Sequence, residues 1–466
     1  MSLSHVTGFT CAGCGATVPA TAHPYACPNR GAGDDVDHVL VRRSMTPPPE
    51  WPSDSHPNPF VRWRRFLYAY DVARNAGIAD GEFKQLVIEL DRAVQQSDGR
   101  SFKVTPFAPS PRLSEALGGA EVWVKDETQN VAGSHKARHL MGVAIHLEVM
   151  GQLGRDDGSL PLAIASCGNA ALAASVVAAA AERALNVFIP TDANPKVVAQ
   201  LEEHGAYVNV CHRQAGVDGD PCYLDFRAAV GDGAMLPFCC QGPDCGLTVE
   251  GGQTLAWEMA SELGWRKVAL DDVYAQVGGG AFASALIRGF EQAVEGGVLA
   301  GLPRFHAVQT DGCYPVVRAW EKVVAKAFEH LGAPVPDAWP ERARALKGAP
   351  EAVAAALTYA RQHRSEFMRP WETPPHSLAH GILDDETYDW AAIVAGMLKT
   401  GGWPVLVTDP DLTRAVQLAK KQAKVIADAT GASGLAGALV DRAAHPDAWD
   451  ASRPPRLAVI LSGVER

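Results

Sequence analysis

The chain has 466 residues, enough for about three structural units of ordinary size. Hydrophobic residues make up 47% of the sequence and charged residues 20%, so buried cores are expected and wholesale disorder is excluded. The formal charge of −11 and the absence of a dense basic run argue against nucleic acid or an anionic membrane as the partner, and they favour a small molecule.

Neither a membrane helix nor a signal peptide is expected from the sequence. The longest apolar run, Ala170 to Ala181, is far shorter than the roughly 20 residues that a membrane helix needs. The first residues lack the basic-then-apolar order of a signal peptide, so we expect a cytoplasmic protein. In a reducing compartment the 10 cysteines should be thiols or metal ligands.

Residues 1–40 are predicted to be a small cysteine-bearing extension that resembles a zinc ribbon. Its three cysteines in a motif-like arrangement are Cys11, Cys14 and Cys27. Thiolates on tight turns can share one tetrahedral ion, but Arg30 stands where a ribbon would have its fourth cysteine. His23 or His38 would have to substitute. We favour a metal-free remnant over a zinc site, and a non-catalytic zinc-ribbon adaptor is an alternative function that rests on this segment alone.

Residues 41–100 are predicted to form a linker and a helical segment. The prolines between Met45 and Pro59 prevent a helix from propagating, so this part should be extended. The aromatic and basic stretch from Phe60 to Tyr70 then begins a helix that packs on the body of the protein.

From about residue 120 the sequence alternates between strands and helices. The predicted strands are 121–125, 162–165, 187–189, 206–210, 272–277, 306–309, 404–408 and 457–461. The predicted helices include 169–184, 195–204, 282–294 and 412–427, and residues 318–375 are helical without an assigned role. Such alternation is typical of parallel sheets covered by helices. Ligands of open parallel sheets bind at the carboxyl ends of the strands, so the loops there are the candidate site.

The first candidate loop is Gly278-Gly279-Gly280, which follows a predicted strand and opens an apolar helix. Glycines let the backbone approach an anion, while N–H groups and the positive end of a helix stabilise phosphate. With Ala283, the loop also fits the G-x-G-x-x-A pattern of dinucleotide sites, so a nicotinamide- or flavin-dependent oxidoreductase is an alternative. A purely structural alternative is that the glycines only allow a tight turn and bind nothing.

The second candidate loop, residues 133–138, places Lys136 at a predicted helix start, where the helix dipole disfavours a cation. An isolated lysine is usually solvated, whereas a reactive lysine needs a pocket whose desolvation lowers its pKa. His135 and His139 have the i, i+4 spacing of metal ligands, but the sequence offers no third ligand, so we do not favour a metal there.

Two further loops carry polar groups next to predicted strands. In the strand-to-helix turn 166–169, amides and a hydroxyl can hold a carboxylate, and Asn169 can either hydrogen-bond a ring oxygen or cap the helix. We interpret Cys167 as a small buried thiol rather than a nucleophile, because no base can be assigned to it. Ser462 follows the last strand and can face a ring nitrogen or simply end the strand.

Together, a lysine, a glycine loop, an asparagine and a serine make a complete pyridoxal phosphate site. The chain resembles the fold type II pyridoxal-phosphate enzymes, the tryptophan-synthase-β-like family, and within it the threonine synthases most. The motifs that carry the resemblance are G-S-x-K-x-R at 133–138, S-x-G-N-[AT] at 166–170, and the threonine-synthase-like segment 250–258. The similarity covers roughly residues 100 to 466. The amino-terminal cysteines also resemble the start of many threonine synthases.

The resemblance implies an α/β fold of two interleaved domains with open, mostly parallel sheets flanked by helices. The large domain would comprise 101–132 and 246–466, the smaller one 133–245, and the enzyme would be a homodimer acting on a small amino acid. The residues implied to bind pyridoxal 5'-phosphate are Lys136, Asn169, Gly278, Gly279, Gly280 and Ser462, with Lys136 also catalytic. The residues implied to bind substrate are Ser134, Arg138, Ser166, Cys167 and Gly168.

The reaction implied is that of a carbon–oxygen lyase, in which Lys136 moves the Cα proton and a group at Cβ or Cγ departs. In a threonine synthase this group is the phosphate of O-phosphohomoserine, which needs a second anion site; Arg138 or Lys125 could contribute to it. Four positions depart from the family patterns: His135, Cys167, His380 and Asp428. Acidic residues in 382–386 could instead select another side chain, so a serine/threonine dehydratase or a β-replacement enzyme is the alternative.

Overall fold

A computed structural model describes residues 8–19, 22–31, 33–43, 48–213, 216–217, 219–449 and 452–464. Within these ranges the chain forms three sheets, two of them built mainly from parallel strands. Residues 44–47 of the predicted linker lie outside the described residues, and residues 48–58 have no regular secondary structure.

The largest sheet has six strands. In spatial order they are Val405–Val407, Arg304–Thr310, Asp272–Gln276, Arg456–Leu461, Glu121–Asp126 and Phe107–Pro109. All neighbours pair in parallel except Phe107–Pro109, an antiparallel edge strand that we did not predict. Residues 457–461 are completely buried, as expected for a central strand covered by helices on both faces.

The second sheet is wholly parallel. Its strands, in spatial order, are Tyr207–Cys211, Leu185–Pro190, Leu162–Ala165 and Leu236–Pro237. All four lie within 133–245, whereas the strands of the six-stranded sheet come from before and after this segment. The predicted α/β fold with two interleaved, mostly parallel sheets is therefore confirmed, while the domain boundaries stay a prediction.

The described helices cover both sheets. They are Pro59–Arg62, Tyr68–Asn75, Asp80–Asp98, Pro111–Ala116, Lys136–Gln152, Asn169–Ala180, Pro195–Glu203, Pro221–Gly231, Thr248–Arg266, Ala281–Glu295, Pro315–Leu331, Trp339–Lys347, Pro350–Gln362, Arg364–Phe367, Trp390–Thr400, Asp409–Leu418 and Ala429–Ala444. The helix predicted over 412–427 ends at Leu418, because a single π-helical turn follows and Lys424 adopts a left-handed conformation with φ 61°. None of the described helices is long and apolar enough to cross a membrane.

The amino-terminal extension contains a small antiparallel sheet of strands Thr17–Val18, Phe9–Cys11 and Leu40–Arg42. Phe9, Val18 and Leu40 of this sheet are buried, as are Phe83, Val87 and Val94 on the apolar face of the helix Asp80–Asp98, which packs mainly on the helix Asn169–Ala180. These side chains join the hydrophobic core of the four-stranded sheet, and each stabilises the fold by about 1.5–3 kcal/mol through burial. The extension is thus part of a shared core.

Candidate active site

The predicted loops converge at the carboxyl ends of strands from both parallel sheets. Gly463 donates its N–H to the carbonyl of Gly133 at 3.1 Å, and the Ser462 hydroxyl accepts the N–H of His135 at 3.0 Å. A Cβ placed on Gly463 would lie 3.0 Å from Nδ2 of Asn169. The lysine loop, the asparagine turn and the serine that follows the last strand therefore meet in one place.

The glycine loop connects the strand Asp272–Gln276 to the helix Ala281–Glu295. Gly280 has φ 102°, a left-handed conformation that favours glycine. A Cβ on Gly278 would lie 2.2 Å from Oδ2 of Asp384, so a larger residue there would clash. The first turn of the helix contains no acidic residue, and its free N–H groups can bind an anion. The loop therefore has the features that a phosphate group needs.

Lys136 begins the helix Lys136–Gln152 and is half-buried among fully buried neighbours. Its amine forms neither a hydrogen bond nor an ion pair with any residue that the structure describes. Burial raises the pKa of Asp384 to about 6 and that of Asp389 to about 7, and the nearby charge of Lys136 opposes both shifts. The Lys136 amine is thus available near Asp384 and Asp389, the two carboxyl groups beside the glycine loop.

His135 links the lysine loop to the helix that follows the glycine loop. Its ring stacks on Phe282 with 4.0 Å between centroids, and its Nδ1 lies 2.6 Å from the Ser462 hydroxyl. Burial lowers the pKa of His135 well below its ordinary value, and the charge of Lys136 adds to the shift, so the ring is neutral. The sequence did not predict that His135 would share the hydroxyl of Ser462. The role of that hydroxyl at a ring nitrogen stays a prediction.

The turn 166–169 lies where these loops meet, a place called the cleft below, because a Cβ on Gly463 would lie 3.0 Å from Nδ2 of Asn169. Ser166 and Asn169 are half-buried, and the N–H of Gly168 points to the Ser166 hydroxyl at 3.4 Å. Cys167 is exposed, so its interpretation as a buried thiol is wrong: the turn lines the cleft instead of packing beneath it. Partial desolvation still raises the pKa of the Cys167 thiol to about 11, which keeps it protonated at neutral pH. A thiolate nucleophile is not supported.

The structure contradicts the prediction that Arg138 binds substrate. Arg138 is completely buried, and its guanidinium forms a bidentate ion pair with Glu127 at 2.8 and 2.9 Å. It also donates to Glu258 at 2.6 Å. Lys125, the other cation considered for a substrate phosphate, is equally buried and pairs with Glu258. Both cations are therefore held inside the protein by carboxylates, and neither reaches the cleft.

The structure also contradicts the prediction that Ser134 binds substrate. Its side chain is fully buried, and its hydroxyl accepts the N–H of Lys136 at 3.4 Å. Its carbonyl accepts from Asn130 at 3.2 Å. Ser134 therefore shapes the turn before the lysine helix and is not open to substrate.

The segment 384–389 covers the glycine loop, which the sequence did not predict. The N–H of Asp389 donates to the Gly279 carbonyl at 3.0 Å, and the ring of Tyr388 would lie 2.9 Å from a Cβ on Gly279. The signal in the sequence was the acidic run after residue 382, which we considered only as a selector of the substrate side chain. The segment instead places carboxylates directly beside the glycine backbone.

The predicted metal ligands are not part of the loops that meet at this site. Cys11, Cys14 and Cys27 belong to the amino-terminal extension. Among the described residues, His135 and His139 are not part of a group of potential metal ligands, and Nδ1 of His139 is hydrogen-bonded to the Thr248 carbonyl at 2.7 Å. The histidine pair therefore gives no support for a metal at the lysine loop.

Comparison with known sequences gives a family and several relatives. The pyridoxal-phosphate dependent enzyme family matches residues 100–463. A threonine synthase of Methanosarcina acetivorans is 28% identical over 249 residues, which cover 51% of this chain and 53% of that protein. A threonine synthase of Methanocaldococcus jannaschii is 22% identical over 337 residues, 72% of this chain and 68% of that protein. The chain thus spans about half the length of the first relative.

Comparison with solved structures gives the same fold at low identity. A threonine deaminase of Solanum lycopersicum, isoform 2 in its processed form, has a TM-score of 0.54 and 15% identity, covering 83% of this chain and 91% of that chain. A diaminopropionate ammonia lyase of Escherichia coli has a TM-score of 0.56 and 14% identity, covering 82% and 89%. The glycine loop, Asn169 and the Lys136 amine, which has no partner among the described residues, fit pyridoxal phosphate better than a nicotinamide cofactor. The chain belongs to the pyridoxal-phosphate dependent enzyme family, has the type II fold and uses pyridoxal phosphate as its cofactor.

Proposed function

We propose that the protein is an amino-acid lyase that removes the Cα proton and eliminates or replaces a group at Cβ or Cγ. The observation that carries this proposal is the position of Lys136, whose amine has no partner among the described residues and adjoins the loops of both sheets. When bound, pyridoxal phosphate supplies an electron-withdrawing ring that stabilises negative charge on Cα. The protein must then place a base at Cα and bind the rest of the substrate.

Each loop has one task in this proposal. The N–H groups of Gly278–Gly280 would hold the cofactor phosphate, the Asn169 amide would donate to the ring oxygen, and the Ser462 hydroxyl would hydrogen-bond the ring nitrogen. The turn that contains Ser166 binds the substrate carboxylate through its hydroxyl and backbone N–H groups. Lys136 would hold the cofactor through its amine, and in its free form Nζ would receive the Cα proton and return it to the departing group or to carbon.

Two activities compete within this class. The matches to threonine synthases and the motifs at 133–138 and 166–170 support conversion of O-phosphohomoserine to threonine and phosphate. A specific feature of the site favours an ammonia-lyase acting on serine or threonine as the second candidate. Arg138 and Lys125 are already paired with buried carboxylates. Around Cys167 the charged groups are acidic: after burial, the charges of Asp220, Asp192 and Asp384 add to the rise in the pKa of its thiol. Such acidic surroundings suit a substrate without a phosphate.

A substrate panel tests the proposal. Purified protein loaded with pyridoxal phosphate is incubated separately with O-phosphohomoserine, serine and threonine, and phosphate, threonine, oxo acid and ammonia are quantified. We expect turnover of at least one substrate, and no turnover by the Lys136→Ala variant. Phosphate release with threonine formation supports the synthase, whereas oxo acid and ammonia from a hydroxy amino acid support the ammonia-lyase. Inactivity toward all three substrates would contradict both specific activities.

Asp384→Asn is expected to strengthen cofactor binding at pH 8 by roughly tenfold, because it removes a carboxylate beside the glycine loop that we propose to hold the phosphate. Burial raises the pKa of Asp384 to about 6, so the wild-type carboxylate is charged at pH 8 and mostly protonated at pH 5. The advantage of the variant should therefore shrink as the pH falls. Fluorescence titration of the apoprotein with pyridoxal phosphate at both pH values measures it.

Asp385→Asn is the matched control for this titration. Asp385 is adjacent in sequence, and burial likewise raises its pKa to about 6, but it does not contact the glycine loop in the way that Asp384 does. We expect its affinity to stay near that of the wild type. Equal gains in both variants, or a pH-independent gain for Asp384→Asn, would contradict the proposed placement of the phosphate.

A further inference from the structure

Four residues with sulfur or nitrogen ligand atoms converge in the amino-terminal extension: Cys11, Cys14, Cys27 and His38. One ligand atom from each lies within 4.8 Å of all the others. His23, the other histidine that could have supplied the fourth ligand, is instead hydrogen-bonded to His146, with 3.1 Å between Nδ1 of His23 and Nε2 of His146. Arg30, at the position of the absent cysteine, pairs with Asp244 at 2.7 Å. His38 therefore completes a four-ligand set from a place that ribbon spacing does not predict.

The backbone brings His38 to the cysteines. Cys11 pairs with Leu40 in the antiparallel sheet, which fixes His38 two residues before that register position. A Cβ on Gly13, between the first two cysteines, would lie 2.5 Å from the Asp37 carbonyl. Only glycine lets this knuckle approach the segment that carries His38 so closely. The ligand set is thus built into the fold of the extension.

A surrounding shell of polar groups orients the ligands. Oδ2 of Asp34 lies 2.9 Å from Nε2 of His38, and Nδ1 of His38 lies 3.4 Å from the sulfur of Cys11. When Nε2–H donates to Asp34, the lone pair of Nδ1 is left for a metal. The side-chain amide of Asn29 donates to the sulfur of Cys14 at 3.7 Å. A carboxylate behind a histidine ligand is a common feature of zinc sites.

We propose that Cys11, Cys14, Cys27 and His38 bind one Zn²⁺ ion in tetrahedral geometry, through three sulfurs and Nδ1 of the histidine. Zinc favours such mixed thiolate and imidazole sets, and four protein ligands leave no open position, so the site is structural rather than catalytic. On binding, the three thiols release three protons to solvent and no electrons are transferred. The sequence-based preference for a metal-free remnant assumed a missing ligand that His38 supplies.

The position of the site gives the ion a structural task. Residues next to the ligands contact both parts of the fold: Arg30 pairs with Asp244, and the Asp35 carboxylate accepts the N–H of Ser365 at 2.7 Å. The Asp37 carboxylate accepts from the indole of Trp390 at 3.2 Å. Trp390 directly follows Asp389, whose N–H donates to the Gly279 carbonyl in the glycine loop. A metal that fixes the ligand-bearing turns would therefore hold the extension against Asp244 on one side and against Ser365 and Trp390 on the other.

Metal analysis of the full-length protein tests the site. The protein is purified under reducing conditions without chelators, its affinity tag is removed, and zinc per chain is measured by mass spectrometry. We expect about one zinc per chain for the wild type and for His23→Gln, and loss of most zinc in His38→Gln. His38→Cys should retain the metal, because a fourth thiolate replaces the imidazole. Asp34→Asn should bind zinc about tenfold more weakly.

Cobalt substitution gives a readout that does not depend on stability or activity. The wild-type protein reconstituted with Co²⁺ should show the intense visible absorption of a tetrahedral thiolate site, and His38→Cys should shift it. Three results would each overturn the proposal: wild-type protein with far less than one zinc per chain and no cobalt spectrum, a Cys14–Cys27 disulfide in protein kept reduced, or equal zinc in His38→Gln and His23→Gln. The sulfurs of Cys14 and Cys27 are 3.6 Å apart, so the disulfide is a real competitor.

Discussion

Replacing Lys136 with alanine is expected to abolish turnover while leaving the protein folded. Loss of proton transfer alone should lower the rate roughly 10²- to 10⁴-fold, and loss of the covalent bond to the cofactor should lower it further. Stability should change little, because the Lys136 amine has no hydrogen bond or ion pair among the described residues. The variant thus separates a catalytic role from a structural one.

Borohydride reduction provides the direct measurement. Wild-type protein loaded with pyridoxal phosphate should lose its visible absorption on reduction, and peptide mapping should find the cofactor on Lys136. Lys196→Ala, a change at the start of a surface helix, is the control and should behave like the wild type. A cofactor adduct on another lysine, or normal turnover by Lys136→Ala, would contradict the assignment of Lys136 as the catalytic base.

The sequence indicated the loops that lie together in the structure because the signals were local. Short apolar strands followed by glycine, serine or asparagine predict parallel strands whose carboxyl ends carry polar loops. Four such loops, those with Lys136, Asn169, Gly278 and Ser462, do lie together in the structure. No long-range information was needed, since the parallel topology places the carboxyl ends of neighbouring strands at the same edge.

The fate of a charged side chain was harder to predict. Arg138 belongs to the same motif as Lys136, two residues away, yet one is buried in an ion-pair network and the other borders the cleft. Successive positions on a helix point in different directions, and what each meets depends on distant segments. Glu258, which pairs with Arg138, is 120 residues further along the chain. Motif spacing contains no information about that contact.

The metal ligands show the same limit. Two-cysteine knuckles are recognisable because their ligands are close in sequence, as in Cys11 and Cys14. His38 joins them only through the register of an antiparallel sheet, and its supporting carboxylate, Asp34, has no sequence signature. Cys167 is the converse case. The sequence offered no base for it and so favoured a small buried thiol, but the structure leaves the residue exposed. In each case the missing information was tertiary.

Arg138→Met is expected to destabilise the protein by about 3–5 kcal/mol, because it leaves carboxylates buried without their cation. Glu127 loses both hydrogen bonds of its bidentate pair, whereas Glu258 keeps Lys125 as a cation and still accepts the backbone N–H of Thr105 at 3.1 Å. Methionine keeps an unbranched chain of carbon and sulfur but supplies no donor. Urea unfolding at pH 7.5 measures the change, and cofactor binding by the remaining folded protein tests whether the effect is structural.

A surface pair and a second substitution make this prediction specific. Arg318→Met removes an ion pair with Glu372, which is about half exposed, and should cost less than about 1 kcal/mol. Adding Glu127→Gln to Arg138→Met should restore part of the lost stability, because the unpaired buried charge disappears. Equal effects of the two arginine variants, or a further loss on adding Glu127→Gln, would show that the buried charge is not the cause.

The pH dependence of the Arg138→Met effect follows from the same network. Burial alone would raise the pKa of Glu258, but the charges of Arg138 and Lys125 outweigh it and hold that pKa below its ordinary value of 4.5. A carboxyl with a lowered pKa contributes stability that is fully present above its unfolded pKa and is lost as the pH falls through its folded pKa. Without Arg138 the effect of burial is no longer offset, so the variant takes up protons at a higher pH than the wild type does. The stability difference between wild type and Arg138→Met should therefore be largest at the alkaline end and should narrow as the pH falls, beginning above pH 4.5, because protonation in the variant removes the buried charge that the arginine compensates.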